Sequence, residues 1–230
     1  AALAGLQIFV FKSPQISASL TNSNALALFA VMMLPLALSW KDWRLTGALL
    51  VLLIWTQSAG AALALFAAAG FYARKSGRAE FRNSLPVFLL FAIAFALVVS
   101  QVPPQSFVNR LLWWKSALLM FMSRPFSGFG HAAFTFVYPA YRDFLPGATG
   151  SIYAHSYYLE FLSENGLLCA ALWFGLLMYA VKKKTGLLKY SLLAALAHSL
   201  IDFGLSVPAN FWIFCYLAAP ESRERESAQT

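Results

Sequence analysis

Apolar residues in this chain fall in long runs near residues 25–40, 45–57, 60–73, 84–100, 166–181, 188–206 and 209–219. Several runs are shorter than the ~20 residues that cross ~30 Å of hydrocarbon, which predicts tilted helices or paired short ones. Two breaks, "TQSAG" at 56–60 and "LSVPAN" at 205–210, use residues that favour turns over helix. The longest polar excursion runs from Gln101 to His155. It predicts a helix over "SFVNRLLWWKSALLMFM", a turn at "SRPFSGFG", and an aromatic-rich segment, "HAAFTFVYPAYRDFLPGATGSIYAH". A loop longer than ~15 residues in a compact protein is usually functional or disordered, and these aromatics speak against disorder.

Composition turns this pattern into a membrane reading. Of 230 residues 60% are hydrophobic and 11% charged, and mean hydropathy is +0.65, whereas soluble domains carry roughly 25% charged residues. Cys169 and Cys215 lie inside apolar runs as small hydrophobes, with no disulfide or zinc spacing. The chain opens mid-run on "AALAGLQIFVF", without an initiator methionine, and is read as a fragment lacking upstream helices.

The net charge of +8 does not imply nucleic acid, because in a membrane chain the placement of Lys and Arg matters more than their sum. With both breaks on one side, Lys41, Arg44, Arg74, Lys75, Arg78, Arg82, Lys182, Lys183, Lys184, Lys189, Arg223 and Arg225 gather on the other, which becomes the cytoplasmic side. Lys12, Arg110, Lys115, Arg124 and Arg142 then face outside. The expected architecture is all-α: one membrane domain over 1–230, a multi-pass transmembrane bundle with an external loop at 101–156 that carries short helices.

Four stretches resemble the O-antigen ligase and polymerase superfamily of bacterial envelope polysaccharide enzymes. "TNSNALALFAVMMLPLAL" resembles its Asn-Pro-Asn start of a helix, with Ser23 in place of proline. "NRLLWWKSALLMFMSRPFSGFGHAAF" is similar to its Arg-containing external helix, turn and Gly-x-Gly. "AHSYYLEFLSENGLL" resembles its His-centred motif, and "LAHSLIDFGLSVPANFWIF" its penultimate helix, turn and last helix. They follow family order over nearly the whole chain, and the resemblance is assigned to its C-terminal part. In the turn that reads "TQSAGA", Ala59 stands where the family has an arginine. Arg124 or Arg142 then substitutes, or the donor differs, or activity is impaired.

The resemblance implies a glycosyltransferase that joins a glycan from an undecaprenyl diphosphate carrier to a hydroxyl acceptor at the outer face of the bacterial inner membrane, facing the periplasm. The acceptor is lipid A core, a growing chain (a polymerase) or a protein hydroxyl (an O-oligosaccharyltransferase). A diphosphate leaving group needs positive charge, and arginine supplies a planar, permanently charged fork. Arg110 is the leading diphosphate-binding candidate, with Arg124 second. A sugar hydroxyl needs a base, and histidine titrates near working pH, which makes His155 the catalytic candidate.

Arg142, Tyr157 and Glu160 are possible substrate contacts, with Glu164 on the same helix face as Glu160. The plainer alternatives are solvated arginines, an interfacial aromatic belt and first-turn acidic residues. His198 and Asp202, four apart in an apolar run, read as a structural pair. No cofactor or metal is expected; the partners are the donor, the acceptor and the bilayer. A lipid-linked sugar transporter or a noncatalytic assembly protein are the readings from other classes.

Overall fold

The computed structural model describes residues 22–75, 100, 104–143 and 149–220. The described residues are helical throughout their regular structure, with no strand among them. The expected run at 84–100, apart from its last residue, and Lys12, Arg78, Arg82, Arg223 and Arg225 lie outside them.

Helix α1 (Ser23–Ser39) starts where the Oδ1 of Asn22 accepts from the backbone N–H groups of Asn24 and Ala25, at 2.8 and 3.3 Å. Such a cap satisfies donors that a helix start leaves open. α1 is apolar on every side and buried along most of its length, which makes it the central helix. Around it pack α2 (Trp43–Thr56), α3 (Ala59–Lys75), α7 (Gly186–His198) and α8 (Pro208–Ala218). Buried alanines at 27, 30, 37, 61, 64, 68 and 194 allow the helices close approach. Two side chains lock α1 to its neighbours: the Ser191 hydroxyl donates to the Met32 carbonyl, and the Asn210 amide donates to the Ala25 carbonyl at 2.8 Å.

Helix α6 (Tyr157–Lys182) begins well before the apolar run expected at 166–181, capped by Ser156. It changes direction at Gly166, whose φ of 74° and ψ of 174° are not helical. Among the described residues α6 is the one helix long and apolar enough to cross a membrane; α1, α2 and residues Ala59–Phe71 of α3 are apolar but shorter. Leu168, Leu172 and Leu176 project from α6 with more than half of their surface uncovered. A row of this kind suits hydrocarbon, not water.

The run expected at 188–206 is not one helix. α7 ends at His198, and residues 199–207 form a turn containing a short 3₁₀ segment, Gly204–Ser206. A third group of elements caps one end of the molecule: α4 (Pro104–Ser123), the single-turn α5 (Phe134–Val137) and the 3₁₀ turn Tyr138–Ala140. Their core is Trp113, Ala117, Met120, Phe134 and Tyr138, closed by Ala154.

The polar turns therefore sort to two ends. The α6–α7 turn carries Lys182–Lys184, and the Lys184 ammonium donates to the Ala219 carbonyl just past α8. The 57–58 and 199–207 turns and the loop to His155 meet at the other end, separated by α7, whose 13 residues span about 20 Å.

Candidate functional site

The site is assembled on α4. Asn109, Arg110, Trp113 and Trp114 share a helix side, and each donates to a segment that the sequence leaves distant. Nδ2 of Asn109 donates to the Thr149 hydroxyl at 3.0 Å, and Nε1 of Trp113 to the Thr149 carbonyl at 3.0 Å. Nε1 of Trp114 donates to the His155 carbonyl at 3.1 Å, and Nη1 of Arg110 to the Ile201 carbonyl at 2.7 Å. One helix face thus holds both the loop before α6 and the turn after α7.

His155 occupies the left-handed region, at φ 51°. That conformation costs a non-glycine residue on the order of 1–3 kcal/mol and persists only where the surroundings impose it. Here they impose it from both sides of the residue: Trp114 holds its carbonyl, and a Glu160 oxygen accepts from the preceding N–H of Ala154 at 2.7 Å. The imidazole lies flat on Trp113, centroids 4.7 Å apart, and meets Phe203 edge-on at 5.0 Å. Its Nδ1 faces Oδ2 of Asp202 at 3.5 Å.

Asp202 decides the electrostatics. Its side chain is 1% exposed, and the same Oδ2 lies 3.9 Å from Nη2 of Arg110. Neither Asp202 oxygen accepts a hydrogen bond at these distances. A buried carboxylate is expensive unless positive charge faces it, and the Arg110 guanidinium supplies that charge.

The other expected residues are placed as follows. Arg124 sits over the Phe129 ring at 4.6 Å. Arg142 lies by Gly150 and Tyr138; burial pushes the Tyr138 phenol above its usual range, and the Arg142 charge opposes the shift. The Tyr157 hydroxyl accepts from Nε1 of Trp173 at 2.8 Å. Glu160 is buried, and its second oxygen accepts from the Ser206 hydroxyl at 3.2 Å. Glu164 accepts from the backbone N–H groups of Ala132 and Phe134, at 2.9 and 2.8 Å, fixing the start of α5. A cavity of 780 Å³ opens beside this region, with Tyr153, Tyr157, Glu160, Phe161, Trp173 and Trp212 in its wall.

Asp202 is the residue whose place the sequence reading missed. Its signal was present, an ionisable side chain in an apolar run, but helical spacing paired it with His198. Because α7 stops at His198, no hydrogen bond or close ion pair joins the two, although the Asp202 charge still acts on the buried imidazole of His198. His198 is fully buried, with Nε2 3.5 Å from the Ser58 hydroxyl.

The O-antigen ligase family profile matches residues 16–174. The chain belongs to the O-antigen ligase family. The match takes in the start of α1, α4 with its turn, and the His155 segment. It lies in the N-terminal and central part of the chain, not the C-terminal part, and the fourth resembling stretch, 196–214, falls beyond it. No curated protein and no solved structure matches the chain.

Proposed function

We propose that this O-antigen ligase family member transfers a glycan from an undecaprenyl diphosphate donor to a hydroxyl acceptor, at the outer face of the bacterial inner membrane and within a multi-pass bundle. The observation that carries the reading is the meeting of His155 and Arg110 at one buried oxygen of Asp202, at 3.5 and 3.9 Å. Family membership supports the class of reaction.

In this mechanism Asp202 orients the imidazole through Nδ1, and Nε2 takes the proton of the acceptor hydroxyl. The hydroxyl oxygen bonds to the anomeric carbon as the bond from that carbon to the diphosphate oxygen breaks. The electron pair leaves with the diphosphate, whose growing charge is stabilised by the donors of Arg110 that Ile201 does not occupy. Arg110 is partly exposed, with a quarter of its side-chain surface open to an incoming group.

Purified protein in lipid, assayed for donor binding and single-turnover transfer, tests the assignment. His155→Ala is expected to bind donor normally and lose about 100- to 10,000-fold in rate. Arg110→Lys should lose both affinity and rate, since lysine keeps the charge but not the fork. Normal transfer by His155→Ala at neutral pH would remove the proposal. Acceptor identity follows from a deletion strain complemented with this chain: long glycans stranded on carrier lipid mark a ligase, and single repeat units mark a polymerase.

A further inference from the structure

His155 and Asp202 sit on separate irregular segments, one before α6 and one after α7, and the bonds between those segments set the gap between them. Glu160, on the first turn of α6, reaches both. One carboxylate oxygen accepts from Ala154 N–H at 2.7 Å, the residue next to His155. The other accepts from the Ser206 hydroxyl at 3.2 Å, in the 3₁₀ turn that follows Asp202. Only 6% of Glu160 is exposed, so water offers little replacement for either bond. The same helix start carries a third tie, in which the Tyr157 N–H points at the carbonyls of Ser199 and Asp202, at 3.0 and 3.1 Å.

We infer that Glu160 is a positioning residue: its two oxygens tie the loop of His155 to the turn of Asp202 and so set the distance between imidazole and carboxylate. The inference rests on the reading of His155 as the base. It assigns Glu160 a role other than contact with sugar. Glu164, one helical turn further, provides the contrast. It uses its oxygens in the same manner, but on Ala132 and Phe134 of the cap, and so fixes α5 without touching either segment of the pair.

The chemistry of the two bonds selects the variants. Glutamine keeps one acceptor for Ala154 N–H, and its amide can donate to the Ser206 oxygen, whereas alanine loses both bonds. The full chain in lipid, with ¹⁵N-labelled histidine, is the sample, and the His155 signals are assigned by their loss in His155→Gln. In the parent protein they should show an Nδ1–H imidazole facing a carboxylate.

Glu160→Ala should lose that signature and about 10- to 100-fold in kcat, the range seen when an orienting partner is removed. Donor KM should hold, because Arg110 keeps its bond to Ile201. Glu160→Gln should restore both signature and rate, and Glu164→Gln should leave the His155 signature in place. Ser206→Ala, which cuts one arm and leaves the buried carboxylate otherwise held, should shift the signature part-way, and this variant serves if Glu160→Ala does not fold. An unchanged His155 spectrum in both Glu160→Ala and Ser206→Ala overturns the inference, as does Glu160→Gln failing as badly as alanine. If His155→Ala itself transfers normally, the base assignment is what fails, and the spectra still decide whether Glu160 positions the ring.

Discussion

At Asp202 one carboxylate oxygen faces an imidazole and a guanidinium, at 3.5 and 3.9 Å, and in the proposed mechanism that oxygen selects the tautomer of the ring. Asp202→Asn keeps the shape but places an amide N–H where the carboxylate stood, which favours the imidazole with its proton on Nε2. The base is then blocked at the atom that must accept a proton. Turnover should fall about 100- to 10,000-fold, as when an orienting carboxylate is neutralised in a hydrolase triad. Single-turnover transfer, read beside a thermal melt that shows the chain still folded, checks this. Wild-type turnover in Asp202→Asn would leave His155 acting without its carboxylate.

At the scale of elements, the His155 segment is held by a crossing of two backbones. The turn after α4 passes across the kink of α6, where the Leu167 N–H donates to the Pro125 carbonyl and the Gly130 N–H to the Glu164 carbonyl, both at 2.8 Å. Side chains cannot fit there. A Cβ on Gly128 would lie 2.1 Å from the Glu164 carbonyl oxygen, and one on Gly166 the same distance from that of Phe126, both at left-handed φ. The motifs "SGFG" and "SENG" are therefore the two halves of one contact. Gly128→Ala and Gly166→Ala should each cost more than about 3 kcal/mol, from backbone strain plus a clash that only backbone movement relieves. Their melting temperatures should fall together, whereas alanine at Gly175, where no neighbour crowds a Cβ, should leave the melt nearly unchanged. A melt unaffected at Gly166 would show that the kink adapts.

Across the whole molecule, the polar site and the lysine-rich α6–α7 turn occupy opposite ends of the helices, the arrangement expected of a chain oriented by the positive-inside rule. Single cysteines at Thr185 and Ser151, each in a background without Cys169 and Cys215, should react with a membrane-impermeant thiol reagent from opposite faces of the membrane. Ser151 should label from outside, and Thr185 only after the bilayer is opened. Labelling of both from one face would sink the proposed orientation.

By itself the sequence determined the helical class and most helix positions among the described residues, and it singled out His155 and Arg110, the two residues on which the proposal turns. Each of those rests on local information: apolar run length, turn-forming residues, basic connections and a short motif around His155. Tertiary structure decided what those residues meet. Asp202 reaches His155 only because α7 ends at His198, a stop set by how the 199–207 turn packs against α4 and the start of α6. Glu160 and Glu164 look alike in sequence, four apart on one face, yet they hold different segments because the chain brings a different loop to each. Trp113 and Trp114 are adjacent in sequence, and nothing there shows that their indole N–H groups hold the loop that ends in His155. Partners so far apart in the chain leave no periodic trace in it, since only the packed helices bring their atoms within bonding distance.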